Sequence, residues 1–474
     1  MNALNYLPRT DLGGNAPSSQ GQALLRLVHL SDAHVIDSVS PARCEWIELL
    51  AADPYWKPLL HMHRPYEALT HWVLAAHVER LRRNPLAPWS QQAFDLAIST
   101  GDNIDNAQAN ELQTFVKTMG GGRTSLSAYG GVHEAGHELG AAAWPFWCPD
   151  ANVPDLWKGQ GYPVVPGFVA RASAELQSEG LGFAWTSVPG NHDVMRQGTA
   201  RPNAAIEAIA VGDHKALAGA PGFRPADPLG LFVDHPEAFS DGAGRRISAS
   251  PQRRAVDLRE WMAAHMQHGA AGFGQAQLRS GRADTVIDTE HVRIILLDTN
   301  HPAGDYQGSI GAAQIDWLEQ RLAEVEQEPG RLAVLASHHG SASLVNTRGD
   351  DPERLLAQAL TDAAHRHPCV VAWLVGHRHL HRVMPHPHPA GKGGGFWEIT
   401  TASLIDWPSQ TRAVEIMRHG DGTLELVCTL LDHAGETGSL AALHRDLAHR
   451  FAGEAAFHMQ GDPGDGNVRL LLPR

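Results

Sequence analysis

The chain alternates short apolar runs with longer segments in which apolar residues recur at helical spacing. The apolar runs occupy residues 23–30, 93–99, 184–188, 331–336 and 370–375. Their length and their polar boundaries are typical of buried strands. Helical spacing marks residues 66–83, 311–327 and 352–366. Strands that alternate with helices predict an α/β protein built in layers.

Weaker patterns complete the expected layout. A hairpin is predicted at residues 284–288 and 291–297, further strands at 396–401, 411–418 and 423–431, and a last helix at 440–451. The first 21 residues are polar, with Pro and Gly, and are expected to form a loose arm.

Three long segments separate the strands, and we interpret them as insertions: residues 37–90, 106–183 and 194–283. The second is rich in Gly, Trp and Pro, and so long an irregular segment in a folded enzyme is usually functional. It is predicted to cap the site and shape substrate access, with surface padding as the alternative. The expected organisation is one domain over 22–435, with the insertions as its cap, and an extension over 436–474 packed on the core.

Composition narrows the function classes. Of 474 residues, 38 are Lys or Arg and 52 are Asp or Glu, so the net charge is -14. This balance argues against general binding to nucleic acid or to an anionic membrane, both of which need a basic face. The four cysteines are far apart and form no CxxC pair, which favours reduced, mostly buried thiols. With no signal-peptide pattern and no long apolar stretch, a cytoplasmic protein without a membrane partner is expected.

The polar groups that end the five apolar runs carry the candidate chemistry. Seven of them could bind a metal ion: Asp32, His34, Asp102, Asn191, His338, His377 and His379. Ligand sites in open α/β sheets lie at the carboxyl ends of strands. Seven ligands are too many for one tetrahedral ion and fit two ions that share a carboxylate. Such a pair can clamp a phosphoryl group and supply hydroxide at neutral pH.

Two further residues could move or orient a proton. The imidazole of His192, beside Asn191, could protonate a leaving oxygen, and Asp105 could orient that imidazole. A buried, hydrogen-bonded histidine and a helix cap are the structural alternatives for these two residues. Arg378, between two candidate ligands, is expected to point away from them and to serve the structure.

The motifs, taken in order, resemble those of the calcineurin-like metallophosphoesterases. They read Asp-x-His at 32–34, Gly-Asp-x-x-Asp at 101–105, Gly-Asn-His-Asp at 190–193, His338 at a strand end, and Gly-His-x-His at 376–379. Single motifs of this kind are weak, whereas the ordered set is specific and covers the core from about 24 to 418. The stretches 100–112, 180–198, 297–318 and 397–412 further resemble a little-characterised bacterial branch of the family.

The resemblance implies a fold and a division of roles. The fold is a four-layer α/β/β/α sandwich with large insertions. One ion is held by Asp32, His34 and His379, the other by Asn191, His338 and His377, with Asp102 bridging and Asp105–His192 as the acid dyad. The ions are two divalent or trivalent metals, manganese, iron or zinc. The implied activity is hydrolysis of a small phosphoester by a hydroxide held between the ions.

Two departures refine the expectation. Protein phosphatases of the family carry an Arg after the second Asp of the Gly-Asp block, whereas this chain has Asn106. That difference argues against a protein phosphatase, and the closing block with two histidines favours a phosphodiesterase over a phosphomonoesterase. His338 and His339 compete for one ligand role, and the resemblance favours His338.

Two other classes stay open. A scaffold that retains the fold without catalysis would not need all the candidate ligands. A single-iron oxygenase site would use two His and one carboxylate and would leave Asn191 without a role.

Overall fold

In the computed structural model, the described residues are 5–19, 21–127, 146–150, 152, 154–391 and 394–473. The strands are β1 Leu7–Arg9, β2 Gly21–Leu30, β3 Leu96–Ser99, β4 Gly122–Thr124, β5 Leu176–Ser178, β6 Trp185–Ser187, β7 His214–Ala216, β8 Gly244–Arg246, β9 Thr285–Asp288, β10 Val292–Leu297, β11 Ile310–Gly311, β12 Leu332–Ser337, β13 Arg354–Leu355, β14 Val370–Val375, β15 Arg382–Pro387, β16 Gly395–Thr400, β17 Thr411–His419, β18 Leu424–Leu431 and β19 Val468–Leu472.

The helices connect these strands. They are α1 Thr70–Arg83, α2 Ala109–Gly120, α3 Leu156–Gly159, α4 Phe168–Ala172, α5 Asn191–Val194, α6 Ala204–Ala210, α7 Pro228–Asp234, α8 Leu258–Gln267, α9 Gln275–Ser280, α10 Ala312–Glu326, α11 Ala357–Arg366, α12 Leu440–Ala452 and α13 Ala456–Gln460. Short 3-10 helices over Glu45–Leu50, Pro54–Leu59 and Glu67–Leu69 precede α1.

Two large sheets form the centre of the fold. The first has seven strands in the order β1-β19-β18-β17-β2-β3-β6, and the second has six in the order β15-β16-β14-β12-β10-β9. Strands β2, β3 and β6 run parallel, as do β10, β12, β14 and β16. Parallel neighbours end at the same edge, so each sheet brings several strand ends together.

Alternate side chains of the strands face different layers. In β2, Leu25 and Leu27 pack between the two sheets, whereas Val28 and Leu30 face α1, α2 and α8. The second sheet behaves alike: Ile294 in β10 packs between the sheets, while its neighbours on the other face meet α10 and α11. The layers are therefore helix, sheet, sheet, helix, as the resemblance implied.

The predicted strands and helices are largely confirmed, with a few corrections. The first 21 residues are not a loose arm throughout, because β1 pairs in parallel with β19. Strand β15 was not predicted, since Pro385 and Pro387 argue against a strand. It lies at the edge of its sheet, where proline is tolerated because no further strand needs its N–H groups.

The insertions contribute both to the core and to the surroundings of the site. Helices α1, α2 and α8 form the outer layer on the first sheet. The predicted extension does more than pack on the core, because β19 lies inside the first sheet. Residues 128–145 of the predicted cap lie outside the described residues, so the domain division and the cap remain predictions.

The described helices have at most 15 residues. None of these helices has the length and apolar character that crossing a bilayer requires.

Buried neutral histidines predict acid sensitivity. Burial lowers the pKa of His71 to about 4 and those of His265 and His444 to about 3. Unfolded histidine titrates near ~6.5, so their contribution is complete above that pH and is lost as pH falls towards the folded values. We expect the free energy of unfolding to fall between pH 7 and 5 by on the order of 1 kcal/mol per histidine per pH unit, measured by urea unfolding.

His265→Asn gives a matched variant for this measurement. The amide of Asn can replace His265 Nδ1, which donates to Trp261 O at 2.8 Å, but it does not titrate. Unfolding of the variant should take up about one proton fewer at pH 5 than unfolding of the unaltered protein, so its free energy of unfolding should depend less steeply on pH. An unchanged pH slope would contradict the assignment of this acid sensitivity to buried histidine.

Candidate metal centre

The seven predicted ligands come together where strands of the two sheets end. Asp32 and His34 follow β2, Asp102 follows β3, and Asn191 opens α5 just after β6. His338 follows β12, and His377 and His379 follow β14. The carboxyl ends of parallel strands thus supply every one of these side chains, as expected for a site in an α/β sheet.

Backbone strain is concentrated at these strand ends. Five of the seven candidates have positive φ: Asp32 (51°), His34 (40°), Asp102 (49°), His377 (66°) and His379 (52°). Residues with a Cβ rarely adopt this conformation, and such strain clusters at functional sites, where the surroundings enforce it. The loops are therefore held in shapes that aim these side chains inward.

Gly101 shows how tightly the loops approach. It has φ of 95°, and a Cβ there would lie 2.7 Å from Gly190 N and 2.8 Å from His338 Nδ1. Only glycine fits this position without displacing the neighbouring loop.

The first group consists of Asp32, His34 and His379. The Nε2 atoms of the two histidines are 3.3 Å apart, and His379 Nε2 is 3.2 Å from Asp32 Oδ1. The Nδ1 atoms point outward: His34 Nδ1 donates to Asp105 Oδ1 at 2.9 Å, and His379 Nδ1 to Asp406 Oδ2 at 2.7 Å. Each imidazole therefore presents its Nε2 to the group's centre.

The second group consists of Asn191, His338 and His377. His338 Nε2 is 2.9 Å from Asn191 Oδ1 and 3.3 Å from His377 Nδ1. Asn191 uses its Nδ2 to donate to Gly198 O at 2.9 Å, which leaves its Oδ1 facing the site.

Asp102 lies between the two groups. Its Oδ2 is 3.1 Å from His338 Nε2 and 3.7 Å from His34 Nε2. Its Oδ1 accepts from the main-chain N of His192 at 2.8 Å, which fixes the carboxylate. One oxygen of Asp102 thus faces one histidine from each group.

The donor set fits a pair of cations. Because both Nδ1 atoms of the first group donate outward, the two Nε2 lone pairs face each other at 3.3 Å. His338 likewise donates its Nδ1–H to Thr100 O at 2.8 Å, so its Nε2 lone pair faces the oxygens of Asn191 and Asp102. Acceptors that face acceptors repel unless a proton or a metal ion lies between them.

When no metal is bound, protons on the histidines remove part of the repulsion between these acceptors. Burial lowers the pKa of His338, but Asp102 outweighs it and raises the value to about 9. Burial is likewise outweighed at His379, where Asp32 raises the pKa to about 9. The Asp102 carboxyl keeps a pKa well below its usual range, because His338 overcomes the effect of burial. The site therefore retains its carboxylates as anions.

The predicted dyad has an unexpected geometry. His192 Nδ1 donates to the main-chain O of Asp105 at 2.7 Å, while the Asp105 carboxylate lies 3.4 Å from the same atom. That carboxylate is engaged by His34 and by the guanidinium of Arg43. Burial lowers the pKa of His192 to about 4. Asp105 thus orients His192 mainly through its carbonyl, and the acid role of the pair remains a prediction.

His339 and Asn106 have supporting contacts. His339 uses both ring nitrogens elsewhere, with Thr299 Oγ1 at 2.9 Å and Tyr306 O at 3.0 Å, whereas His338 faces Asp102. Asn106 is buried and accepts from Gln197 N at 2.9 Å, so it braces a loop.

Sequence reasoning missed Asp406, Arg64 and Arg43. Asp406 follows β16 at the same sheet edge as the ligands, and its position after a predicted strand could have pointed to it. The two arginines lie in the first insertion, where no pattern marks them.

A cleft of about 520 Å³ opens over the two groups. Its lining includes residues 58–62 and Arg64 of the first insertion, Tyr306 and Gln307, and Met459 of α13. Arg378 also lines the cleft and is exposed, and the direction of its side chain remains a prediction. The sharp turn that gives its neighbours positive φ breaks the extended alternation on which the expectation that it points away rests.

Comparisons with known proteins agree with the motif-based resemblance. No family model matches the chain. A "Probable cyclic nucleotide phosphodiesterase" of Synechococcus sp. (strain WH7803) is 36% identical over 104 residues, which is 21% of this chain and 37% of that protein. The manganese-dependent ADP-ribose/CDP-alcohol diphosphatase of Xenopus tropicalis is 27% identical over 130 residues, which is 25% of this chain and 34% of that protein. The matches thus span little more than a third of either relative, and they confirm the resemblance to metallophosphoesterases.

Solved structures show a remote likeness. A dimetal phosphatase of Danio rerio is 11% identical, with a TM-score of 0.41, over 88% of this chain and 98% of that one. A 5'-nucleotidase of Candida albicans is 10% identical, with a TM-score of 0.31, over 92% of this chain and 59% of that one.

Asp102→Asn tests whether one carboxylate serves both groups. The amide keeps the shape of the side chain and removes the charge that faces His34 and His338. Supporting contacts alone are worth about 10–100-fold in metal affinity, so losing a shared ligand should weaken binding of both ions by more than about 100-fold. Titration with Mn²⁺ after chelation, followed by metal analysis, measures the change.

Asp284→Asn is the matched control. Asp284 is also a buried carboxyl, and it accepts from Gln314 Nε2 at 2.8 Å, away from the two groups. It should bind metal as the unaltered protein does. Two tightly bound ions in Asp102→Asn would contradict the shared role.

Proposed function

We propose that the protein is a metal-dependent hydrolase of phosphoester bonds that prefers phosphodiesters. The observation that carries this proposal is the shared position of Asp102 between two groups of inward-facing acceptors. Under this proposal Asp32, His34 and His379 hold one ion, Asn191, His338 and His377 hold the other, and Asp102 contacts both. Manganese, iron and zinc all suit this mixture of imidazole and oxygen ligands.

The bound pair would supply the nucleophile and part of the charge stabilisation. Two metal ions polarise a phosphoryl oxygen and lower the pKa of a water from ~15.7 to about 7, which makes hydroxide available at neutral pH. No Ser or Cys nucleophile is then required.

The chain's own residues would bind and orient the substrate. Arg64, Arg378 and His61 line the cleft and can attract an anionic phosphoester despite the negative net charge. Arg64 already pairs with Asp406, whereas Arg378 is exposed. Among the cleft-lining side chains, Arg378 is thus the best placed to contact a phosphate oxygen.

His192 would handle the proton of the leaving group. It lines the same cleft, and its Nδ1 is held by the Asp105 carbonyl at 2.7 Å. This contact orients the ring so that Nε2 is left for the substrate. Because the neutral ring carries its proton on Nδ1, Nε2 must first take up a proton, which an anionic phosphoester beside it would favour. That proton would pass to the leaving oxygen as the phosphorus–oxygen bond breaks.

Support for a diester comes from the closing block and from the relatives. The two histidines at 377 and 379 resemble those of the phosphodiesterase members of the family. The Synechococcus relative is named a phosphodiesterase, and the Xenopus relative cleaves a diphosphate according to its name. A small nucleotide-like diester would suit a cleft of about 520 Å³.

Metal removal and return test the proposal directly. Hydrolysis of bis(4-nitrophenyl) phosphate and of 4-nitrophenyl phosphate is compared before chelation, after it, and after addition of Mn²⁺, Zn²⁺ or Fe²⁺. We expect diester cleavage that disappears with the chelator and returns with metal, because the acceptors of the site need cations. Faster monoester cleavage would assign a phosphomonoesterase, and two bound ions without cleavage of any phosphoester tried would favour the scaffold.

His192→Ala tests the proton donor. The variant should keep its metals and lose about 10²–10⁴-fold in turnover on substrates with alkoxide leaving groups, the range of general acid catalysis. Substrates that release nitrophenolate need less protonation and should be slowed less. Equal slowing of both substrate types would contradict the proposal that His192 protonates the leaving group.

A further inference from the structure

Two arginines of the first insertion reach towards the metal centre. Arg43 and Arg64 lie on either side of the 3-10 helix Pro54–Leu59, outside the strand-end loops that supply the ligands. Each forms an ion pair with a carboxylate that in turn holds a candidate ligand.

Arg64 supports His379 through Asp406. Its Nε and Nη2 donate to the two oxygens of Asp406, both at 2.9 Å. Asp406 Oδ2 accepts from His379 Nδ1 at 2.7 Å, and the Tyr66 hydroxyl adds a bond to Oδ1 at 2.9 Å. The carboxylate therefore has a fixed plane, and its fixed plane sets the direction of the imidazole.

Arg43 meets the Asp105 carboxylate behind His34 through one close ion-pair contact rather than a two-point pairing. Its Nη1 contacts Asp105 Oδ2, while Asp105 Oδ1 accepts from His34 Nδ1 at 2.9 Å. The side chains of Arg43, Asp105 and His34 are all almost fully buried, at 2%, 4% and 1% exposed. Such an ion pair cannot exchange partners with water without opening the structure.

Glu67 links Arg43 to Arg64. Its Oε2 accepts from Arg43 Nη2 at 2.9 Å and from the main-chain N of Arg64 at 3.1 Å. Because both bonds end on the same buried carboxylate of Glu67, the positions of Arg43 and Arg64 are coupled.

The second group is supported differently. His338 Nδ1 donates to Thr100 O, and Asn191 Nδ2 donates to Gly198 O. Both acceptors are main-chain carbonyls. Thr100 O lies in the loop after β3 and Gly198 O in the third insertion, so neither is a carboxylate held by Arg43 or Arg64.

We propose that Arg43 and Arg64 are positioning residues for one metal position only, that of Asp32, His34 and His379. This inference rests on the proposed function for its ligand assignment. Carboxylates behind metal-binding histidines fix ring orientation and tautomer, and their loss costs about 10–100-fold in metal affinity. The two arginines thereby set the affinity of the first position. The second position keeps its affinity without them, although Gln197, beside Gly198, bonds Cys44 N and Met62 O of the same insertion.

Arg64→Met is the main test, because the Arg64 side chain is 13% exposed and the Arg43 side chain only 2%. Mn²⁺ binding to the chelated full-length protein is followed by calorimetry and by the electron paramagnetic resonance signal of uncoupled Mn²⁺. We expect two ions in the unaltered protein. In the variant, one of the two should bind about 10–100-fold more weakly, so that an uncoupled signal appears at Mn²⁺ concentrations that saturate the unaltered protein.

Two ligand variants identify the position affected. In His338→Ala, which should retain the first position, adding Arg64→Met should weaken the remaining ion. In His379→Ala, which should retain the second, the same addition should change nothing. Equal weakening in both backgrounds, or in neither, would overturn the inference.

Three controls separate the positioning effect from a change in net charge and from a loss of folding. Arg224→Met removes an exposed arginine that pairs with Asp53 of the same insertion, and it should bind two ions normally. Arg64→Lys keeps the charge but loses the two-point contact, so it should fold and weaken the first position. Thermal unfolding of the chelated variants reports any loss of folding.

The outcomes distinguish the two proposals. Two bound ions without hydrolysis of any phosphoester would overturn the proposed function, and the two-background comparison would still decide the role of Arg64. An unaltered protein that binds no ion would overturn both.

Discussion

The centre of this protein depends on forcing hydrogen-bond acceptors to face one another. Imidazole nitrogens and carboxylate oxygens lie within 4 Å of one another in a buried space, and His34, His338 and His379 each donate Nδ1–H outward. Without a cation, protons on His338 and His379 relieve part of that repulsion, because Asp102 and Asp32 raise the pKa values of these histidines to about 9. A cation at each group would replace these protons and meet the remaining acceptors, and this is the physical reason to expect metals rather than an ordinary polar core.

That enforcement comes from several levels of the fold. Parallel strands bring the loops to one edge, positive φ values turn the side chains inward, and outward hydrogen bonds fix the rings of His34, His338 and His379. Two of the outward partners are carboxylates, and two are main-chain carbonyls. The centre is therefore asymmetric in its supports, although its two groups of ligands look alike in composition.

Much of this could be predicted from the sequence, for identifiable reasons. Apolar runs gave the strands, and because strand ends in α/β proteins converge, the seven candidates could be grouped without coordinates. Irregular backbone could not be predicted in this way. The positive φ at His377 and His379 removes the extended alternation on which the expected direction of Arg378 rests, and the proline-containing strand at Arg382–Pro387 looks like a loop from its sequence. Arg43 and Arg64 act through contacts that span long sequence separations, for which a single sequence carries no signal.

The two sheets differ in how far apart their strands lie along the chain. The second sheet is drawn entirely from residues 285–400, whereas the first joins strands near residues 7, 30, 98, 186, 415 and 428 with Val468–Leu472. Contacts between distant segments form slowly, because closing a long loop costs chain entropy before any contact repays it. During synthesis the second sheet can therefore form before the first, which is complete only once β19 (Val468–Leu472) has been synthesised. A cation bound by loops of both sheets would then bind last. It would link the sheet that can fold early to the sheet that is completed only at the end of synthesis.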